Sequence, residues 1–288
     1  MGKPVNSRSQ QQTSATALDE AAVTALPPAP GPVDKAMEVL SALAETGAPH
    51  RLADLARHTG LAKPTVHRLL RALAAGGYAE PAAGGSYRPG PRLLGLAASV
   101  LADDAAMRQA GPVLDELRIR TGLFASYAVR DDRTLIHLYV HAPTQGPALD
   151  LRPGTREAVT AGAAGLALLA ALPAEDADTL LTGPDGAPAD EATRTALAAA
   201  AHDGYAFDSA DAWRDRRALA APVRDAAGHP AGVLVLTGLA FTLDEAAAHL
   251  YGPMVRSAAA ALSTSLAAQA GARLGVVGAP DHGAGRKR

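Results

Sequence analysis

The sequence predicts an α+β protein with two domains: a winged helix-turn-helix, then a larger domain of helices around an antiparallel sheet. Two short helical patterns flank Gly60 near the beginning of the chain. Farther along, two pairs of extended apolar segments each enclose a polar turn. The chain has 288 residues, of which 48% are hydrophobic, so it has enough apolar side chains to build two cores.

The helical patterns around Gly60 form the predicted helix-turn-helix. Leu52, Leu55 and Ala56 recur at helical spacing before the glycine ends the first helix. In the second helix Pro64 suits the first turn, and an inward stripe is formed by Val66, Leu69, Leu70 and Leu73. The outward residues carry donors and no carboxylate: Lys63, Thr65, His67, Arg68 and Arg71. Such a helix fits the major groove of B-DNA, although a helical hairpin with a solvated basic face has the same spacing.

The segments on either side complete a winged helix. A helical pattern begins at Val33 and ends before Gly47, ahead of the helix pair. After the pair, Tyr78–Glu80 and Ser86–Arg88 are short extended segments around a glycine-rich turn. We expect Arg88 to reach DNA, and phosphate contact is favoured over minor-groove contact because it needs only charge and reach.

Charge is distributed unevenly along the chain. From Val33 to Arg92 there are 8 Lys/Arg and 5 Asp/Glu, which gives a net charge of +3. From Leu93 to Gly275 there are 14 Lys/Arg and 21 Asp/Glu, which gives a net charge of −7. Only the first segment therefore suits a polyanion. Cysteine is absent, which excludes disulfides, thiolate zinc sites and a cysteine nucleophile. The first residues lack the apolar core of a signal peptide, and no run is long enough to span a bilayer, so we expect a cytoplasmic protein without membrane contact.

The remaining patterns indicate a linker helix and a second domain. Expected helices are Leu93–Asp103, Ala105–Thr121, Ala158–Leu172, Asp190–His202 and a long terminal helix opened by a capping box at Thr242–Glu245. Expected strands are Leu123–Val129, Thr134–Val140, Tyr205–Phe207, Ala218–Val223 and Gly232–Gly238. We expect a disordered arm at 1–31, the DNA-binding domain at 32–91, the linker helix at 92–104, the second domain at 105–275 and a disordered basic tail at 276–288.

These residues resemble the IclR family of bacterial transcriptional regulators from Val33 to about Gly275. The resemblance rests on Asp34–Leu40, Leu52–Leu70, Tyr87–Leu94, Thr160–Ala170, Asp203–Asp208, Leu219–Val223 and Val233–Gly238. It implies a winged-helix DNA reader joined by a linker helix to a GAF-like effector-binding domain. It also implies a repressor or activator that binds a near-palindromic operator as a homodimer or as a dimer of dimers, a homotetramer. Two-fold pairing is physically reasonable because one recognition helix reads only a few base pairs.

The resemblance further implies an effector pocket between the sheet and the helix that begins near Thr160. The effector would be a small acid or an aromatic metabolite. The small residues at that helix N-terminus either hold a carboxylate with their backbone N–H groups or simply pack closely; they are Gly162, Ala163, Ala164 and Gly165. Asp208 matches the pocket acid of the family, and it either accepts a hydrogen bond from the effector or ends a strand.

Other pocket positions depart from the family pattern. Ala218 and Val235 stand where cysteine and serine are common, which makes the pocket more apolar, and Thr237 follows on the same strand. Arginines in a segment that is usually apolar would supply cations if it folds inward: Arg214, Arg216 and Arg217. Trp213 between them either stacks on an aromatic effector or covers the pocket.

An enzyme is not expected, because the chain has no Gly-x-Ser-x-Gly, no His-Glu-x-x-His and no phosphate-binding loop. His137 and His141 are four residues apart on a predicted strand and would share a face, where a carboxylate such as Asp150 could join them as metal ligands. Spacing fixes no third ligand, so a structural or solvent-facing histidine pair is favoured. We expect no cofactor. The alternative to an effector-responsive regulator is a ligand-independent architectural or protein-responsive DNA-binding factor whose second domain serves dimerisation.

Overall fold

The computed structural model describes residues 31–45, 49–146, 149–183, 188–208 and 216–277, with side chains described through residue 269. The chain divides into two units, and the main division falls between Pro89 and Gly90. The disordered arm expected at 1–31 and the tail expected at 276–288 lie almost wholly outside the described residues.

The first unit combines a bundle of three helices with a small antiparallel sheet. Its helices are α1 (Pro32–Ala44), α2 (Leu52–Thr59) and α3 (Lys63–Ala75), and its strands are β1 (His50–Arg51), β2 (Ala79–Ala82) and β3 (Ser86–Pro89). The strand order is β1-β3-β2. Leu43, Leu55 and Leu70, one from each helix, meet in the core. The predicted winged helix is therefore confirmed, and the two-residue strand β1 is the element that the sequence pattern did not indicate.

The second unit is built on one antiparallel sheet. Among the described residues its strands are β4 (Phe124–Asp131), β5 (Thr134–His141), β6 (Arg156–Ala158), β7 (Ala206–Phe207), β8 (Arg216–Arg224) and β9 (Pro230–Leu239). Their order is β6-β5-β4-β9-β8-β7. The helices are α4 (Pro91–Asp103), α5 (Ala105–Thr121), α6 (Gly162–Leu169), α7 (Ala174–Leu181), α8 (Glu191–Asp203) and α9 (Glu245–Val277). None of the described helices has the length and apolar composition needed to cross a membrane.

Helices cover both faces of this sheet, so its central strands are mostly apolar on both sides. Leu219 and Ala221 of β8 pack with α5 and α9 on one face, whereas Ala220 between them packs with α6 on the other. On β9, Leu234 packs in the same core as Leu219, and Val233 packs in the same core as Ala220. This alternation follows from the two-residue period of a strand. The predicted α+β architecture is confirmed.

Two local predictions were wrong, and one helix was missed. The helix expected from Ala158 begins at Gly162, because Arg156–Ala158 instead pairs with β5 as strand β6. Helix α7 was not predicted. The capping box at Thr242 does not form, since the hydroxyl of Thr242 donates to the carbonyl of Leu239, and Asp244 caps α9 by accepting from the N–H of Ala247 at 2.8 Å.

Candidate functional site

Helix α3 presents one apolar and one basic face. Gly60 ends α2 with a left-handed backbone, φ 65°, which lets α3 start after a short turn and cross α2. Pro64 lies in the first turn of α3, and Val66 and Leu70 are fully buried. The predicted contact residues Lys63, His67, Arg68 and Arg71 are exposed, and Thr65 is half-buried. No acidic residue lies in the helix, so its outward face is cationic.

The wing is the hairpin of β2 and β3, turned by Ala83–Gly85. Gly84 and Gly85 both have φ of 72°, which residues with a side chain rarely adopt. Arg88 is exposed on β3, and its guanidinium donates to the carboxylate of Glu80 on β2 at 3.1 Å. The wing therefore carries its cation on the surface in a weak ion pair.

The second unit contains a cavity on the sheet face that carries α6. Most of the residues predicted for an effector pocket line it: Gly162, Ala163, Ala164, Asp208, Ala218, Val235 and Thr237. Gly165 does not, because it packs against the backbone of Val159, where an added Cβ would lie 2.0 Å from the carbonyl oxygen. Trp213 and Arg214 lie outside the described residues.

The N-terminus of α6 forms one wall of this cavity. Ala161 occupies the N-cap position and has no side-chain cap, and Gly162 has φ of 63°, which favours glycine. The carboxylate of Asp208 lies across from it, since a Cβ added to Gly162 would be 3.5 Å from Oδ2 of Asp208. The helix N-terminus thus brings backbone N–H groups and a positive dipole end to the cavity.

Several polar lining residues were not assigned to the pocket from the sequence. They are His137, Thr155, Arg156 and Glu157, together with the apolar Leu151. Arg216 and Arg217, which were expected to supply cations if their segment folds inward, also line the cavity. Thr155 and Glu157 come from the turn and strand before α6, which had no recognisable pattern. Arg216 and Arg217 lie on β8 rather than in a loop, and the guanidinium of Arg217 lies 5.9 Å from the ring centre of Phe207. The cavity is therefore more polar than Ala218 and Val235 alone suggest.

His137 and His141 do not share a face of the sheet. Strand β5 has a β-bulge: Tyr127 pairs with Tyr139, but the next residue, Ala128, pairs with His137. The extra residue turns His137 and His141 to opposite faces of the sheet. His137 is buried on the cavity side. On the other face, Nδ1 of His141 lies 3.5 Å from Oδ1 of Asp115 of α5. Within the described residues no group of three His, Asp or Glu side chains is arranged to hold a metal ion.

A winged helix with a basic recognition helix, joined to a sheet domain with a polar cavity, defines a DNA-binding transcriptional regulator with a ligand-binding domain. Two family models match the chain: the IclR helix-turn-helix domain over residues 32–82, and the bacterial transcriptional regulator IclR C-terminal domain over residues 98–264. The chain belongs to the IclR family of transcriptional regulators.

Individual relatives agree with this assignment. The HTH-type transcriptional regulator XynR of Escherichia coli is 28% identical over 81% of this chain and 96% of its own length. The glycerol operon regulatory protein of Streptomyces griseus is 32% identical over 75% of this chain and 89% of its own. The fold is shared with an IclR homologue from Microbacterium hydrocarbonoxydans in complex with 4-hydroxybenzoate. The TM-score is 0.67 at 24% identity, and the match covers 83% of this chain and 100% of the homologue.

Proposed function

We propose that this regulator binds a near-palindromic DNA operator through α3 and Arg88, and that a small acid bound in the cavity of the second unit alters this binding. The observation that carries the DNA-binding role is the outward face of α3. It exposes Lys63, His67, Arg68 and Arg71 with no acidic residue in the helix. Arg68 and Arg71 are the candidates for guanine or phosphate contact, with Thr65 and His67 in support.

Selection of genomic DNA fragments by the purified protein tests this role without knowledge of the operator. We expect enriched fragments to share two inverted half-sites about one helical turn, or roughly 10 base pairs, apart. The same selection with Arg71→Ala should enrich no common sequence if α3 reads the bases. Enrichment of one identical motif by both proteins would contradict this orientation of the helix.

The proposed effector contacts are the N-terminus of α6 and the polar residues opposite it. The N–H groups of Gly162, Ala163 and Ala164 at the start of α6 suit a carboxylate, because a helix N-terminus binds anions. Asp208 is 8% exposed at the cavity wall and would accept a hydrogen bond from the rest of the ligand. The 4-hydroxybenzoate bound by the structural relative motivates aromatic acids as the first ligands to try.

Thermal unfolding of the whole protein with a panel of aliphatic and aromatic carboxylic acids tests the effector role. A ligand that binds only the folded protein raises its stability. We expect at least one acid to stabilise the wild type and to lose this effect in Asp208→Ala. Asp178→Ala, which removes an exposed acid of α7, should respond like the wild type. If no acid stabilises the protein, the ligand-independent or protein-responsive alternative gains support.

We propose that a second copy of the chain covers the apolar surface of α4. Leu94, Leu96 and Val100 are each more than half exposed, and the helix has no fully buried residue. Exposed apolar residues on one helix mark an interaction surface, and a two-fold operator requires a second reading helix. Leu96→Asp should convert the assembly to monomers in analytical ultracentrifugation and weaken operator binding. A dimer of unchanged stability would contradict this interface.

We also propose the domain limits 32–91, 92–104 and 105–275, which the division after Pro89 supports. The relatives are transcriptional regulators rather than enzymes, and we propose the same for this chain, acting on DNA in the cytoplasm without a cofactor.

A further inference from the structure

A chain of three hydrogen-bonded side chains leads from the interior of the sheet to the cavity. Nδ1 of His137 lies 3.0 Å from Oγ of Ser126, and Nε2 of His137 lies 3.2 Å from Oε1 of Glu157. Ser126 is fully buried and His137 is 2% exposed, whereas the side chain of Glu157 is 21% exposed and lines the cavity. His137 also lines the cavity, but Glu157 is the member of this chain that exposes the larger surface to a ligand.

The hydrogen-bonding capacities of these groups fix the imidazole ring. An ionised carboxylate only accepts hydrogen bonds, so Nε2 of His137 donates to Glu157. The hydroxyl of Ser126 can both donate and accept, so it satisfies Nδ1 on the other side of the ring. Both ring nitrogens are thus occupied, and the buried ring has a defined orientation from which it holds the carboxylate.

The backbone just before Glu157 is hydrogen-bonded to the backbone of the same histidine. The N–H of His137 donates to the carbonyl of Thr155 at 2.9 Å, and the N–H of Gly154 donates to the carbonyl of His137 at 2.7 Å. In β6, Glu157 pairs with Leu135 of β5. Backbone and side-chain contacts therefore hold Glu157 in place before any ligand enters, which lowers the entropic cost of recognition.

We propose that Glu157 makes the cavity selective for small acids that also carry a hydrogen-bond donor, such as a hydroxyl or amino group, and that His137 is its positioning residue. This inference rests on the effector role proposed above. A carboxylate offers several acceptor sites, of which His137 uses one. A ligand that displaces water from Glu157 without offering a donor leaves a charged acceptor unsatisfied, and this cost discriminates against it. Arg216 and Arg217 in the same lining offset repulsion between Glu157 and the acid group.

The test uses pairs of acids that differ in one donor: 4-hydroxybenzoate with benzoate, and 3-hydroxybutyrate with butyrate. Binding of each acid to the full-length protein is measured by isothermal titration calorimetry. We expect the wild type to prefer the member with a hydroxyl by about tenfold or more in at least one pair, the size of a hydrogen bond to a charged group. Glu157→Gln should reduce this preference to near unity. Glu191→Gln, which changes an exposed glutamate of α8, should leave it unchanged.

Substitutions at His137 separate positioning from stability. His137→Gln retains an amide donor for Glu157 and an oxygen that accepts from Ser126, so it should preserve the preference. His137→Ala should lower the preference while the acid without a hydroxyl still binds. Unfolding midpoints of all variants are measured in parallel, since a loss of stability alone does not change the ratio of two affinities. Glu157→Asp serves as a second variant if Glu157→Gln does not fold.

The outcomes distinguish this inference from the effector proposal. If acids bind and Glu157→Gln keeps the wild-type preference, Glu157 is not the selective residue. If the wild type binds both members of every pair equally, the selectivity itself is refuted. If no acid in the panel binds the wild type, the effector proposal fails and this inference fails with it. Loss of the preference in Glu157→Gln and His137→Ala, with its retention in His137→Gln, supports both assigned roles.

Discussion

Arg88 and Glu80 face each other across the wing, and Nε of Arg88 donates to Oε2 of Glu80 at 3.1 Å. They are directly opposite in the register of β2 and β3. The two side chains are 57% and 45% exposed, so the pair contributes at most about 1 kcal/mol. Glu80 therefore binds Arg88 only weakly at the surface of the wing. A DNA phosphate can replace the carboxylate at little cost.

Removing the carboxylate should strengthen binding of the wing to DNA. In Glu80→Gln the cation of Arg88 is unpaired and a negative charge near the phosphates is lost, so we expect affinity for non-operator DNA to rise severalfold. Arg88→Ala should lower it and reduce the slope of log K against log salt by about 0.9, the value for one phosphate contact. Fluorescence anisotropy over a range of salt concentrations measures both. Equal slopes for Arg88→Ala and the wild type would place Arg88 away from the DNA.

Arg68→Ala should weaken operator binding while leaving the fold intact. Arg68 is exposed on the outward face of α3, and removal of a surface charge changes stability by only about 0.5 kcal/mol or less. If Arg68 contacts a base, the loss of binding free energy should be about 1–3 kcal/mol and confined to the operator. If Arg68 contacts a phosphate, the affinities for the operator and for random DNA should fall by the same factor. Arg120→Ala, at an exposed arginine of α5, is the control. Unchanged affinity and selectivity would show that this face of α3 does not meet DNA.

Alkaline pH should destabilise the second unit through Tyr127. Burial, followed by the nearby charge of Asp104, raises the pKa of the Tyr127 phenol above its ordinary value of 10.0. The folded protein thus favours the neutral phenol. Its contribution to stability is fully present below about pH 10, the pKa of an exposed tyrosine, and is lost as the pH rises further.

Urea unfolding between pH 8 and 11 measures this effect, with Tyr127→Phe as the comparison. The hydroxyl of Tyr127 donates to the carbonyl of Ala231 at 3.1 Å, so the substitution should cost about 1 kcal/mol at pH 8. The difference between the two proteins should shrink above pH 10, because phenylalanine does not ionise. A constant difference across this range would show that Tyr127 ionises as readily in the folded protein as in the unfolded chain.

Gly165→Ala should destabilise the protein, because a Cβ there would lie 2.0 Å from the carbonyl oxygen of Val159 and one segment must move. Overpacking of this kind costs about 1–3 kcal/mol. Denaturant unfolding of the variant and of the wild type measures the difference in their free energies of unfolding. A Gly165→Ala protein as stable as the wild type would mean that the start of α6 is not packed this closely.

The sequence by itself determined the two-domain architecture, the winged helix and the orientation of α3. These depend on periodic patterns and turn residues close together in the chain, such as the stripe from Val66 to Leu73 and the stop at Gly60. The approximate limits of the long strands followed for the same reason. Most of the predicted pocket residues also lie together, because a family resemblance transfers positions that are distant in sequence.

Tertiary structure alone decided the polar chemistry of the cavity. The β-bulge in β5 places His137 and His141 on opposite faces of the sheet, and no residue pattern in that strand predicts the bulge. Glu157 reaches His137 because a three-residue strand pairs with β5, and so short a segment has no detectable period. Gly165 belongs to the predicted group, yet close approach of the Val159 backbone removes it from the lining. Each case depends on pairing or packing between segments, which local spacing does not encode.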